Sequence, residues 1–167
     1  MENHINKYVY KLYMNIFIFR RDLRLVDNVG LNYAMNNFKN IVPIFIFTPE
    51  QITNKNKYKS DNSVQFMIES LKELDSELKK NKSKLHLFYG DNIKVLTKIC
   101  NKINVDNIVF NMDYTPYAIK RDKQIQTFCN IHSSNHTGTY IFLGTAECCD
   151  KPISHCQLGN ICIGKRC

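Results

Sequence analysis

The sequence predicts an α/β fold built on a parallel sheet, and three observations carry that reading. Residues 15–19, 41–47, 85–89 and 107–110 are short, nearly all-apolar runs, which suits strands buried on both faces. Segments of helical period lie between them. Charged and turn-forming residues gather where an apolar run ends, so strands lead into helices through polar loops. That alternation implies right-handed βαβ crossovers.

The first strand, Asn15 to Phe19, ends abruptly in Arg20, Arg21, Asp22, Leu23 and Arg24. Three arginines and two aspartates fall within the eight residues 20–27. Burying that density of charge costs too much, so the loop is expected at the strand's carboxyl end, facing solvent, a ligand or another domain. Asp27 or Asn28 is placed to cap a helix over 29–38. A strand over 41–47 and a polar loop over 48–60 follow. The clearest helix comes next, because Val64, Met67, Ile68, Leu71, Leu74 and Leu78 recur at helical spacing. Glu69, Lys72, Glu73 and Lys79 fall between them. Residues 85–89 read as a third strand, with His86 expected in the core. Gly90 closes it, and Asp91 caps a helix whose apolar face carries Ile93, Leu96, Ile99, Cys100 and Ile103. Residues 107–110 form a fourth strand, and 115–129 a helix that tolerates Pro116 in its first turn. Residues 139–143 offer a fifth. The sum is a Rossmann-like parallel sheet of about five strands with helices on both faces.

At 167 residues and 44% hydrophobic, the chain is one domain long with enough apolar side chains for a core. It has no apolar run long enough to span a bilayer, and Met1 to Lys11 lacks a signal peptide's apolar centre. The reading is a soluble, intracellular protein with no membrane partner. The net charge is +8, and only five of the 23 basic residues are arginine. Lysine abundance follows from an AT-rich genome as readily as from function. Diffuse nucleic-acid contact and a solvated basic surface therefore both stay open. With neither G-x-G-x-x-G nor G-x-x-x-x-G-K present, a phosphate cradle is not indicated.

Four stretches, in this order and spacing, resemble a known family from about Met14 to His132. The first runs from Phe19 through the arginine loop to Asp27, Asn28, Gly30 and Leu31. The second is the strand Pro43 to Phe47, followed by Thr48, Pro49, Glu50 and Gln51. Ser60, Asp61, Asn62 and Ser63, leading into Val64, Gln65, Phe66 and Met67, make the third. The last holds Asn111, Met112, Asp113, Tyr114, Thr115, Pro116 and Tyr117, with Lys120, Arg121 and Asp122 behind. Together they resemble the amino-terminal α/β domain of DNA photolyases and cryptochromes, nearest to the class I cyclobutane-dimer photolyases.

The resemblance implies a division of labour. In that family a separate helical domain holds reduced FAD, which passes an electron to a flipped-out pyrimidine dimer, and tryptophans relay electrons to the flavin. This chain contains no tryptophan. The expectation is therefore no catalytic residue, no FAD site and no photorepair by this polypeptide alone. A separate helical domain is the expected partner, and DNA binding by the α/β domain alone is not expected. The family's α/β domain also holds an antenna chromophore, a folate or a deazaflavin. The matching positions are Arg20, Arg21, Asp22 and Arg24 after the first strand, and Asp113 after the fourth. Tyr117 and Ala118 stand where folate-type relatives carry an Asn-Glu pair, and Thr115 where a deazaflavin-type relative has an acidic residue. Both departures weaken an antenna role, and the arginine loop is read as a salt-bridged surface turn or a docking surface for another domain, with docking favoured over direct cofactor contact. Tyr114 and Tyr117 are expected to pack.

Beyond His132 the composition changes. Five of the seven cysteines lie between Cys148 and Cys167, and four of the six glycines follow His132. Residues 1–132 are thus read as a photolyase-like domain, and 133–167 as a divergent tail of a frameshifted or decayed gene that yields a truncated product. Cys148, Cys149, His155, Cys156, Cys162 and Cys167 lack the repeated close pairs of a zinc ribbon, so no metal is expected. A disulfide framework would need an oxidising compartment. The alternatives are one half of a split photolyase completed in trans, a chromophore- or nucleotide-binding module, and a cysteine-rich interaction protein.

Overall fold

A computed structural model describes residues 12–53, 59–133 and 141–143. Its strands are β1 (Tyr13–Phe19), β2 (Ile41–Phe47), β3 (His86–Tyr89), β4 (Asn104–Asn111) and β5 (Ile141–Leu143). Its helices are α1 (Val29–Asn37), α2 (Pro49–Ile52), α3 (Asp61–Lys80), α4 (Asn92–Cys100) and α5 (Pro116–Ser133). Every strand pairing is parallel, in the order β3-β2-β1-β4-β5.

The two-residue period of a strand divides the core into two layers. On one face Ile16, Ile18, Ile44, Ile46, Ile108 and Phe110 pack against Val95, Leu96 and Ile99 of α4 and Ile125 and Phe128 of α5. On the other, Phe17, Phe19, Phe45 and Val109 meet Leu31 and Ala34 of α1 and Leu71, Leu74 and Leu78 of α3. The apolar stripe of α3 points inward as its periodicity requires. Asn28 caps α1, its side chain accepting from the Leu31 N–H at 3.0 Å. The Asp91 carboxylate caps α4 by accepting from Ile93 and Lys94.

Several expectations need correction. The polar loop after β2 contains the short helix α2, where the Thr48 backbone N–H donates to Gln51 Oε1 at 3.0 Å. The first helix stops at Asn37, because Phe38 turns extended while its N–H still reaches the Ala34 carbonyl. Ile103 lies past the end of α4 and is 37% exposed, whereas Val95, left out of the periodic reading, is buried. His86 is exposed and not a core residue, because β3 lies at the edge of the described sheet. The tail cysteines, with the zinc and disulfide readings attached to them, lie outside the described residues. Among the described residues, no helix is long and apolar enough to cross a membrane.

Candidate functional site at the carboxyl ends of β1 and β4

The strand order runs outward from β1 in both directions, through β2 to β3 and through β4 to β5. Helices leaving β1 and β4 therefore go to opposite faces and open a crevice between the two strand ends, the usual ligand position in open α/β sheets. The arginine loop after β1 and the loop of Asp113 after β4 meet there. A cleft of about 240 Å³ is lined by Arg20, Arg21, Asp22, Asn111, Met112, Asp113 and Tyr114. Beside it, a groove of about 530 Å³ between the arginine loop and α3 includes Arg21, Arg24, Gln51, Phe66 and Met67.

Neutral side chains hold the crevice in shape. Asn28, 1% exposed, donates from Nδ2 to the carbonyls of Asp22 (3.3 Å) and Arg24 (3.1 Å). Its Oδ1 accepts from Asn111 Nδ2 at 2.9 Å, and the same Asn111 amide donates to the Asp22 carboxylate. The end of β4, the turn after β1 and the start of α1 are thus tied through two amides. Gly30 makes room for this, since a Cβ there would collide with Asn111 Oδ1.

The predicted charged residues fall into two groups. Arg20 is buried, against the expectation that the loop's charges stay outside. Its Nη1 donates to Asp122 Oδ1 at 2.7 Å, and its guanidinium carbon lies 3.7 Å from the centre of the Phe110 ring. Arg121 Nε donates to the same Asp122 oxygen at 3.0 Å. Two guanidiniums therefore share one buried carboxylate. Burial, opposed by Asp122, lowers the Arg20 pKa to about 10. Arg24 is spent locally, donating from Nε and Nη2 to the Asp27 carbonyl at 3.2 and 3.0 Å. Arg21 is open to solvent at 75% exposure, with Nη1 3.5 Å from Asp113 Oδ2. Asp113 also accepts from the Thr115 N–H at 3.2 Å, which fixes the turn into α5.

The tyrosines expected to pack do not bury themselves. Tyr114 is 80% and Tyr117 46% exposed, and Phe66 on the facing helix is 72% exposed. The Tyr117 hydroxyl lies 3.4 Å from Thr48 Oγ1 and its ring 5.9 Å from the Arg121 guanidinium. The rim thus offers aromatic faces beside one open arginine and one carboxylate, a recognition surface for a planar or apolar partner.

Three positions that matter here entered the sequence reading only as parts of the family-like stretches, with no site role assigned: Asn111, Asp122 and Gly30. Gly30 carried the readable signal, because glycine in a helix's first turn costs about 1 kcal/mol relative to alanine and so flags a close approach. Asp122 is the one acid among Lys120, Arg121 and Lys123, a weaker hint.

The model of the DNA photolyase family matches residues 15–146. The chain belongs to the DNA photolyase family. This photolyase-family chain is 30% identical over 144 residues to the (6-4)DNA photolyase of Arabidopsis thaliana, covering 82% of this chain and 24% of that protein. It is 32% identical over 123 residues to Cryptochrome-1 of Aedes aegypti, covering 70% and 22%. Among solved structures, the archaeal photolyase from Sulfolobus tokodaii, described with two FAD molecules and a novel light-harvesting cofactor, superposes with a TM-score of 0.68 at 46% identity. That match covers 78% of this chain and 28% of that one. The chain spans about a quarter of the length of these relatives.

Proposed function

We propose that this photolyase-family chain serves as the α/β docking module of a photolyase-type protein and performs no photorepair by itself. The observation that supports this is the state of the site's charges. Arg20, Asp22 and Arg24 are committed to internal partners, whereas Arg21, Asp113 and Tyr114 line the crevice and Phe66 the groove beside it. A rim of exposed aromatics beside the open Arg21 suits a second protein surface, with the family's helical domain as the partner. In this reading the domain runs through β5, and the cysteine-rich residues after it are a tail. The test is photorepair of ultraviolet-damaged DNA by the purified chain with FAD and light. No repair alone, and repair after addition of a separately expressed helical domain of a relative, is the expected result. Repair by the chain alone would refute it.

A second reading is favoured by the Sulfolobus tokodaii protein, whose light-harvesting cofactor makes FAD a reasonable ligand for the crevice. Arg21 and Asp113 would then provide charged contacts and Tyr114 an aromatic face. Fluorescence titration with FAD separates the two readings. Saturable one-to-one binding that is lost in Arg21→Ala and Asp113→Ala would replace docking by chromophore binding.

A further inference from the structure

The fold sorts the chain's diffuse charge by position. In a parallel sheet, the connections leading into β2, β3 and β4 all lie at the amino end, opposite the crevice. Residues 38–41, 75–85 and 97–106 make up these connections, and they hold seven lysines against three acids, Asp75, Glu77 and Asp106. Lys39 precedes β2. Lys79, Lys80, Lys82 and Lys84 precede β3, and Lys98 and Lys102 precede β4. All seven are exposed, and among the described residues only Lys79 has an ion pair, with Asp75 at 2.7 Å. At the carboxyl end, residues 19–29, 47–53, 59–62, 89–94 and 111–123 carry eight basic and seven acidic side chains. A lysine-rich codon bias would load both ends alike.

Part of this excess answers the helix dipoles. Lys79 and Lys80 lie in the last turn of α3 and Lys98 in that of α4. The ends of α1, α3 and α4 each carry about half a negative charge. Set against seven lysines minus three acids, the three helix ends leave a surplus of about two to three positive charges. Three intervals separate β3 from β4 across the sheet, so the ridge is about 14 Å long. A duplex presents about eight phosphates over that distance.

We infer that the amino end of the sheet is a sequence-independent contact surface for the phosphate backbone of nucleic acid. Flexible, hydrated lysines with no arginine among them suit backbone neutralisation and not base reading. This surface is separate from the crevice, so the inference stands whether or not the docking reading holds. The test uses the full chain and a fluorescently labelled 20-base-pair duplex of arbitrary sequence, followed by anisotropy at 50 and 200 mM salt. The triple variant Lys82→Gln, Lys84→Gln, Lys102→Gln is compared with the matched control Lys94→Gln, Lys120→Gln, Lys123→Gln. The amino-end variant is expected to bind about tenfold or more weakly at low salt, with a salt slope shallower by about 3. The control should retain wild-type binding. Absence of binding by the wild-type chain at 50 mM salt, or equal losses in both variants, would overturn the inference. So would tighter capture by anionic phospholipid vesicles at matched phosphate, which would make the partner a membrane. Circular dichroism and melting confirm that the variants fold.

Discussion

At the carboxyl end of the sheet the charged side chains are largely locked to one another, and at the amino end they are left to water. Asp122 is 5% exposed and holds two arginines, and Asn28 and Asn111 tie the surrounding turns. The lysines before β3 and β4 sit on the surface with only Lys79 paired among the described residues. The difference teaches that similar charged residues do different work at different depth. Buried pairs fix the shape of a site, whereas exposed charges contribute little to stability and act through the field they create.

The strongest way to break this comparison is to remove the shared carboxylate. Asp122→Ala leaves two largely covered guanidiniums without their shared counter-charge and should cost about 3 kcal/mol in urea unfolding. A loss below about 1 kcal/mol would mean that the cluster is not holding the crevice. Gly30→Ala comes next, because the new methyl meets Asn111 Oδ1, an amide anchored on its nitrogen side to Asn28 and Asp22. Its cost should be about 1–3 kcal/mol by thermal melting, from overpacking. Asn28→Ala removes the α1 cap, and a loss of about 0.5–2 kcal/mol is expected.

The other end should respond weakly. Substituting Lys82, Lys84 and Lys102 by glutamine should change unfolding free energy by no more than about 0.5 kcal/mol per site while altering the salt dependence of nucleic-acid binding. The smallest effect concerns Asp75, which accepts from Lys79 Nζ at 2.7 Å and from the Leu85 N–H at 3.0 Å. These hydrogen bonds, the lysine's first, lower its pKa below the usual carboxylate value. Because the folded pKa is depressed, the benefit is present above the unfolded value of 3.8 and is lost as pH falls through the folded one. Asp75→Asn should therefore flatten the acid side of the stability profile near and below pH 4. An unchanged profile would remove Asp75 from the account.

Much of the fold was legible because it is written in local patterns. The alternation of Ile16, Phe17, Ile18 and Phe19 between two faces, the stripe of Leu71, Leu74 and Leu78, and the caps at Asn28 and Asp91 each depend on neighbours a few residues away. The arginine loop was placed correctly at a strand's carboxyl end. Its internal sorting was not readable, because Arg20 and Arg21 are adjacent and alike in sequence. In the folded chain Arg20 lies against Phe110 and Asp122, which β4 and α5 bring beside it, and Arg21 stays outside.

The sequence by itself determined the order of the strands and of the four longer helices, the two-faced core and the family. Only the tertiary structure decided that β3 is an edge strand exposing His86, that Asp122 reaches back to Arg20 across 102 residues, and that scattered lysines collect at one end. The physical reason is range. Periodicity and capping act over one or two turns of chain, whereas burial and charge clustering depend on which strands become neighbours, a choice made by all the core contacts at once.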